Sequence, residues 1–179
     1  MLKYLNADVV FQEVPNETTL AINLTGCPCR CPGCHSPWLW GDKGAELTIS
    51  SLCGLIDVYG DSITCVCFMG GDAAPNELQA LACDMRRIYP RLKVAWYSGR
   101  QHVPPSVDKQ LFNYIKLGPY NAHLGPLNSP TTNQRMLKRE ADGSFTDITR
   151  VFQARQSNAQ AESLRDNSLS MMKSISPQP

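Results

Sequence analysis

Net charge is almost absent from this chain. Its 17 Lys and Arg stand against 16 Asp and Glu, a formal charge of +1. It therefore carries neither the basic footprint of a nucleic-acid binder nor a polybasic membrane anchor. No apolar run approaches the roughly 18 to 20 residues of a membrane span. The first residues, MLKYLNADVVFQEVPNE, lack the long apolar core and small-residue cleavage site of a secretory signal. These absences lead to the expectation of a cytoplasmic protein with no nucleic-acid or membrane partner, whose thiols stay reduced.

Cysteine, by contrast, is plentiful. There are eight in 179 residues, and four crowd into 26-GCPCRCPGCHSPWLW-40: Cys27, Cys29, Cys31 and Cys34, followed by His35, Trp38 and Trp40. In a reducing compartment such a cluster points to metal binding or catalysis rather than to a disulfide framework. The other four, Cys53, Cys65, Cys67 and Cys83, lie singly inside expected helices or strands and read as small buried hydrophobes.

The length and an apolar content of 42% suit one domain with a sizeable core. Residues 8–14 and 18–26 read as strands around the turn signal Pro15-Asn16. Ile49, Leu52, Leu55, Ile56 and Tyr59 fall at helical spacing behind Thr48, a good N-cap. The continuously apolar run 63-ITCVCFMGG-71 suits a parallel strand covered on both faces. A helix over 75–90 follows, entered at Pro75 and stopped by Pro90. Then come a strand at 92–99, a helix after Pro104-Pro105, a strand at 113–120, and a loop over 125–138 leading into a final strand. The strand–helix alternation implies a parallel sheet, with too few units for a complete eight-unit barrel. The expectation is an α/β protein built as an open or partial barrel over residues 1–153. From 154 to 179 the chain has six serines and no aromatic residue, which reads as a disordered tail.

Cys27, Cys31 and Cys34 stand at C-x3-C-x2-C spacing. Three thiolates on one loop can hold three irons of a cubane [4Fe–4S] cluster. The fourth iron is then open to a ligand, as catalytic zinc keeps an open position behind three protein ligands. A structural zinc site, the alternative, usually draws four cysteines as two separated pairs.

That spacing is similar to the signature of the radical S-adenosylmethionine enzymes. The wider block GCPCRCPGCH resembles the activating proteins of anaerobic ribonucleoside-triphosphate reductase, the glycyl-radical-enzyme activases, which also show Cys-Pro-Gly-Cys-His and glycine at the position of Gly33. The resemblance implies a partial (β/α) barrel of the radical S-adenosylmethionine type with a mainly parallel sheet. It selects Cys27, Cys31 and Cys34 as cluster ligands and catalytic centre, and leaves Cys29 spare. It implies S-adenosylmethionine contacts from Gly33, Cys34 and His35, from Gly70, Gly71 and Asp72 (in place of a Gly-Gly-Glu motif), from Ser98, and from Asn133, Gln134 and Arg135. The implied activity is oxidoreductase chemistry: a reduced cluster cleaves S-adenosylmethionine, and the 5′-deoxyadenosyl radical takes a hydrogen from one glycine of the reductase. The implied partners are that glycyl-radical subunit and a one-electron donor such as flavodoxin or ferredoxin. Two other functions remain open: a radical enzyme acting on a small molecule, and a non-enzymatic metal-binding module. His102 and His123 read as exposed loop residues, and Trp38 and Trp40 as lid or core aromatics.

Overall fold

Short connections decide much of the architecture. A computed structural model describes residues 1–154; the expectation of a disordered tail lies essentially outside them. Strands β1 (Lys3–Val10) and β2 (Thr19–Leu24) form an antiparallel pair, because the eight residues between them cannot make a parallel crossover. After the cysteine loop come the two-residue β3 (Ala45–Glu46) and helix α1 (Ile49–Tyr59). Then follow β4 (Cys65–Met69), helix α2 (Pro75–Ile88), β5 (Lys93–Tyr97) and β6 (Tyr114–Leu117). The sheet closes with β7 (Arg135–Arg139) and β8 (Phe145–Asp147). Residues 150–154 are helical.

One eight-stranded sheet results, in the order β3-β1-β2-β4-β5-β6-β7-β8, with β3 and β8 as its open edges. The chain is α/β, as expected. The mainly parallel sheet, however, is corrected to a mixed one. β2, β4, β5 and β6 run parallel to their neighbours in the centre. β1 and β3 on one flank, and β7 and β8 on the other, pair antiparallel. β7 and β8 could not pair parallel, being joined by only five residues. The helix expected after Pro104-Pro105 is also corrected. It is a single 3-10 turn, Lys109–Leu111, with Asp108 capping it through a 2.9 Å bond from Gln110 N–H. Too few residues separate Pro105 from β6 for a full helix and its two ends.

α1 is entered as Thr48 predicts. Its hydroxyl accepts from Ser51 N–H, and the Ser51 hydroxyl accepts from Thr48 N–H at 2.9 Å, forming a capping box. Both long helices cover one sheet face. There Leu52, Ile56, Leu78 and Met85 pack on Ile22, Val66, Phe68, Val94, Trp96 and Ile115. The alternate residues face the other way: Cys65, Cys67, Ala95 and Tyr114, joined by Val14, Met136 and Phe152. Both faces are covered, which explains the unbroken apolar run in β4. The second face is built from small side chains in its middle, and that leaves room for a cavity. Cys65 and Cys67 are buried as expected, whereas Cys83 is exposed on α2.

Candidate active site at the cysteine loop

Parallel strands deliver their C-terminal ends to one edge of the sheet, where α/β proteins collect ligand sites. Here that edge carries the cysteine loop after β2, Gly70-Gly71-Asp72 after β4, Ser98-Gly99-Arg100 after β5, and Gly118 to Tyr120 after β6. Motifs far apart in sequence meet there.

The cysteine loop is anchored at its root. Gly26 N–H donates to Gly41 O and Cys27 N–H to Leu39 O, both at 3.1 Å. Left-handed backbone at Gly26, Arg30 and Gly33 (φ 74°, 42° and 72°) curls the loop back. Cys34 N–H donates to Cys31 O at 3.1 Å, and Ser36 N–H points at Cys34 Sγ at 3.4 Å. All four thiols are free. Cys29 has a different place from the others. Its Sγ lies 3.9 Å from Asp72 Oδ2 and fills the space over Gly99, where a Cβ would come within 2.6 Å of it. Burial pushes its thiol up to about 12, with the Asp72 carboxylate and then Cys27 adding to the shift.

Asp72 lies 1% exposed. One carboxylate oxygen accepts from Ser98 Oγ at 2.6 Å and the other from Gly99 N–H at 2.8 Å. Arg100 closes the arrangement, donating from Nη2 to Asp72 O at 2.8 Å, while Ser98 Oγ accepts from Arg100 N–H at 3.0 Å. Asp72 and Ser98 thus clamp the tips of β4 and β5 together. Gly70 and Gly71 both take positive φ (114° and 91°), with Gly70 O receiving the Trp96 indole N–H at 2.8 Å.

Two cavities open at this edge and share Ser36, Met69, Tyr97 and Lys116. The smaller, about 170 Å³, is lined by Cys27, Trp40, Gly70, Asp72, Ser98 and Gly99 among others. The larger, about 790 Å³, runs over the small-residue face past His35, Tyr120, Leu127 and Gln134 to Phe152. His35 packs against Tyr120 with ring centroids 4.8 Å apart and the planes tilted by 50°, and Gly33 lies against Tyr120 and Ala122. Asn133 donates to Pro119 O at 3.0 Å. Arg135 stands apart: it is exposed, pairs with Asp147 at 2.9 Å and lines neither cavity. His102 and His123 are exposed loop residues, as expected.

Lys116 was not singled out by sequence reasoning, although a lysine inside the apolar strand 113-NYIKLGPY-120 was the available signal. It is buried, lines both cavities and donates to Gly118 O at 2.8 Å. Burial lowers its ammonium to about 8, although Cys31, Asp72, Cys29 and Cys34 pull the other way. Those opposing influences put a cation among the thiols.

Among the described residues, no group of three or more His, Cys, Asp or Glu side chains stands ready-made around a metal position. The cysteines fit a thiolate-bound cluster by donor set, four free thiols on one loop, and not by preformed coordination. No helix among the described residues is long and apolar enough to cross a membrane. No protein-family model, curated protein or solved structure matches the chain.

Proposed function

We propose that this chain is a radical S-adenosylmethionine enzyme of the glycyl-radical-activase type, its sheet being a partial barrel of that kind. Its substrate is a glycine of anaerobic ribonucleoside-triphosphate reductase. The observation that carries the reading is the meeting of the cysteine loop with the Gly70-Gly71-Asp72 and Ser98-Gly99 turns at the C-terminal edge of the parallel strands. Cys27, Cys31 and Cys34 would hold the [4Fe–4S] cluster; Cys29, occupied against Asp72 and Gly99, would not. When bound, the reduced cluster supplies one electron to cleave S-adenosylmethionine into methionine and a 5′-deoxyadenosyl radical.

The chain's own residues bind and orient. Gly70 presents backbone without a Cβ at the lip of the smaller cavity. Asp72 keeps that lip in shape by holding Ser98 and Gly99. Lys116 brings a buried positive charge that would attract a carboxylate. His35 and Tyr120 form an aromatic wall against which a purine ring can lie. The reductant is a one-electron donor of the flavodoxin or ferredoxin kind.

The test is anaerobic reconstitution with iron and sulfide, followed by incubation with S-adenosylmethionine, dithionite and the anaerobic reductase. Expected products are 5′-deoxyadenosine and a doublet paramagnetic signal that collapses when the reductase is made with α-deuterated glycine. The about 790 Å³ cavity falls within the range of small-molecule sites, which favours the second reading, a radical enzyme with a small substrate. Cleavage of S-adenosylmethionine with no reductase radical would select it. Metal uptake without any cleavage would select a binding module.

A further inference from the structure

The indole N–H of Trp40 is buried and has no hydrogen-bond partner among the described residues. An indole nitrogen can only donate, and a buried donor left unpaired is costly enough that such atoms usually meet an ion, water or ligand. Trp40 lines the smaller cavity together with Cys27. It is also fixed beside that cysteine through the backbone, since Leu39 O receives Cys27 N–H and Gly41 O receives Gly26 N–H, each at 3.1 Å. The residues on both sides of Trp40 are thus tied to the root of the cysteine loop. Trp96 offers a contrast, because its indole is already spent on Gly70 O at 2.8 Å. Trp38 differs again, with 53% of its surface exposed.

We propose that the Trp40 indole donates its hydrogen bond to the Cys27 sulfur once Cys27 is a cluster-bound thiolate, and so sets the cluster's reduction potential. This inference rests on the cluster reading proposed above. The chemistry follows from charge. A thiolate ligand accepts a hydrogen bond more strongly than a thiol does. A donor to a ligand sulfur also favours the more negative, reduced state, because potentials respond to hydrogen bonds on the sulfurs. Trp40 is a positioning and tuning residue here, not a catalytic one.

Trp40→Phe keeps the ring and deletes only the donor. In the reconstituted full chain, iron and sulfide uptake should match wild type. The equilibrium constant for reduction should fall about tenfold, equivalent to roughly 59 mV toward negative potential for one electron. An unchanged potential in a fully loaded variant would overturn the proposal. Pulsed paramagnetic resonance of the reduced wild-type protein, grown with tryptophan labelled by ¹⁵N at Nε1, gives a separate readout. A ¹⁵N coupling should be present in wild type and in Trp38→Phe, and lost in Trp40→Phe. If Trp40→Phe fails to take up cluster, the wild-type and Trp38→Phe spectra decide alone: coupling supports the proposal and its absence overturns it. A wild-type chain that takes up no cluster sinks the functional reading and this inference with it. A cluster without ¹⁵N coupling sinks this inference only.

Discussion

The Asp72 carboxylate accepts a short hydrogen bond on each oxygen, from Ser98 Oγ and from Gly99 N–H. An amide in its place keeps one acceptor and replaces the other with an NH2 donor, so either Gly99 N–H loses its acceptor or the Ser98 hydroxyl must turn to accept. Asp72→Asn should therefore cost about 1–3 kcal/mol of stability in urea unfolding of the metal-free protein. A residue that served only to bind a ligand would leave that stability unmoved. The cysteines separate by place in the same way. Alanine at Cys27, Cys31 or Cys34 should abolish iron and sulfide uptake on anaerobic reconstitution. Cys29→Ala should keep uptake, because the Cys29 thiol is turned toward Asp72 and Gly99; full cluster in Cys31→Ala would refute the ligand set. Asp147 provides a pH test well away from the loop. Burial opposes its ionisation, but hydrogen bonds from the Thr149 hydroxyl and N–H, together with Arg135, hold its carboxyl below the usual range. A depressed folded pKa means stability that is present above the unfolded value of about 3.9 and lost as pH falls through the folded one. Asp147→Asn should lower neutral-pH stability by about 1 kcal/mol and flatten the acid limb of a pH titration of unfolding, a modest effect for a part-exposed group.

Helix α1 owes its start to the Thr48–Ser51 capping box. Thr48→Ala should cost about 1 kcal/mol, read as a lower midpoint in thermal melting with an unchanged fold. α1 was legible from its apolar spacing behind Thr48, and α2 from its entry at Pro75 and its stop at Pro90. The segment after Pro104-Pro105 shows where such reading ends. Proline marks a helix entry locally, but only the position of β6 decides whether there is chain enough for a helix. The strand tip after β4 combines two demands. Gly71 takes φ 91°, and a Cβ there would lie 3.0 Å from Leu24 Cδ1 and 3.2 Å from Leu78 Cδ1. Valine at Gly71 thus intrudes on the core beneath the site, so lost cofactor binding in that variant would report on folding first.

The candidate site and the structural closure lie at opposite ends of the parallel strands. At the N-terminal end Glu17 is buried, accepting from Thr64 Oγ1 at 2.7 Å and Tyr114 OH at 2.9 Å while pairing with Lys93 at 2.5 Å. That network ties the loop before β2 to the starts of β4, β5 and β6. Glu17→Ala leaves three donors without their acceptor and should cost about 3 kcal/mol in chemical unfolding. Cluster uptake should be unaffected in folded protein, because the cysteine loop lies a strand length away, about 16 Å for five residues. A loss of iron binding in a variant that still folds would show the two ends to be coupled.

The sequence alone determined what could be written in local periodicity and spacing. It reached the α/β class, the two long helices, a buried strand within residues 63–71, and the C-x3-C-x2-C set, because each is a property of neighbouring residues. Tertiary structure decided what depends on residues distant along the chain. β1 and β8 turned antiparallel to β2 and β7 because the connections within those pairs are short, and the sheet became mixed. Asp72 and Ser98, 26 residues apart, became a clamp rather than two separate contacts. Arg135 went to Asp147, away from the cavities, while Lys116 came in among the thiols. Trp40 was brought to the side of Cys27 by backbone bonds from Cys27 and Gly26 to the residues flanking it. A spacing rule identifies candidate ligands from their side-chain chemistry; only the packing of strands side by side determines which charges and donors those ligands meet.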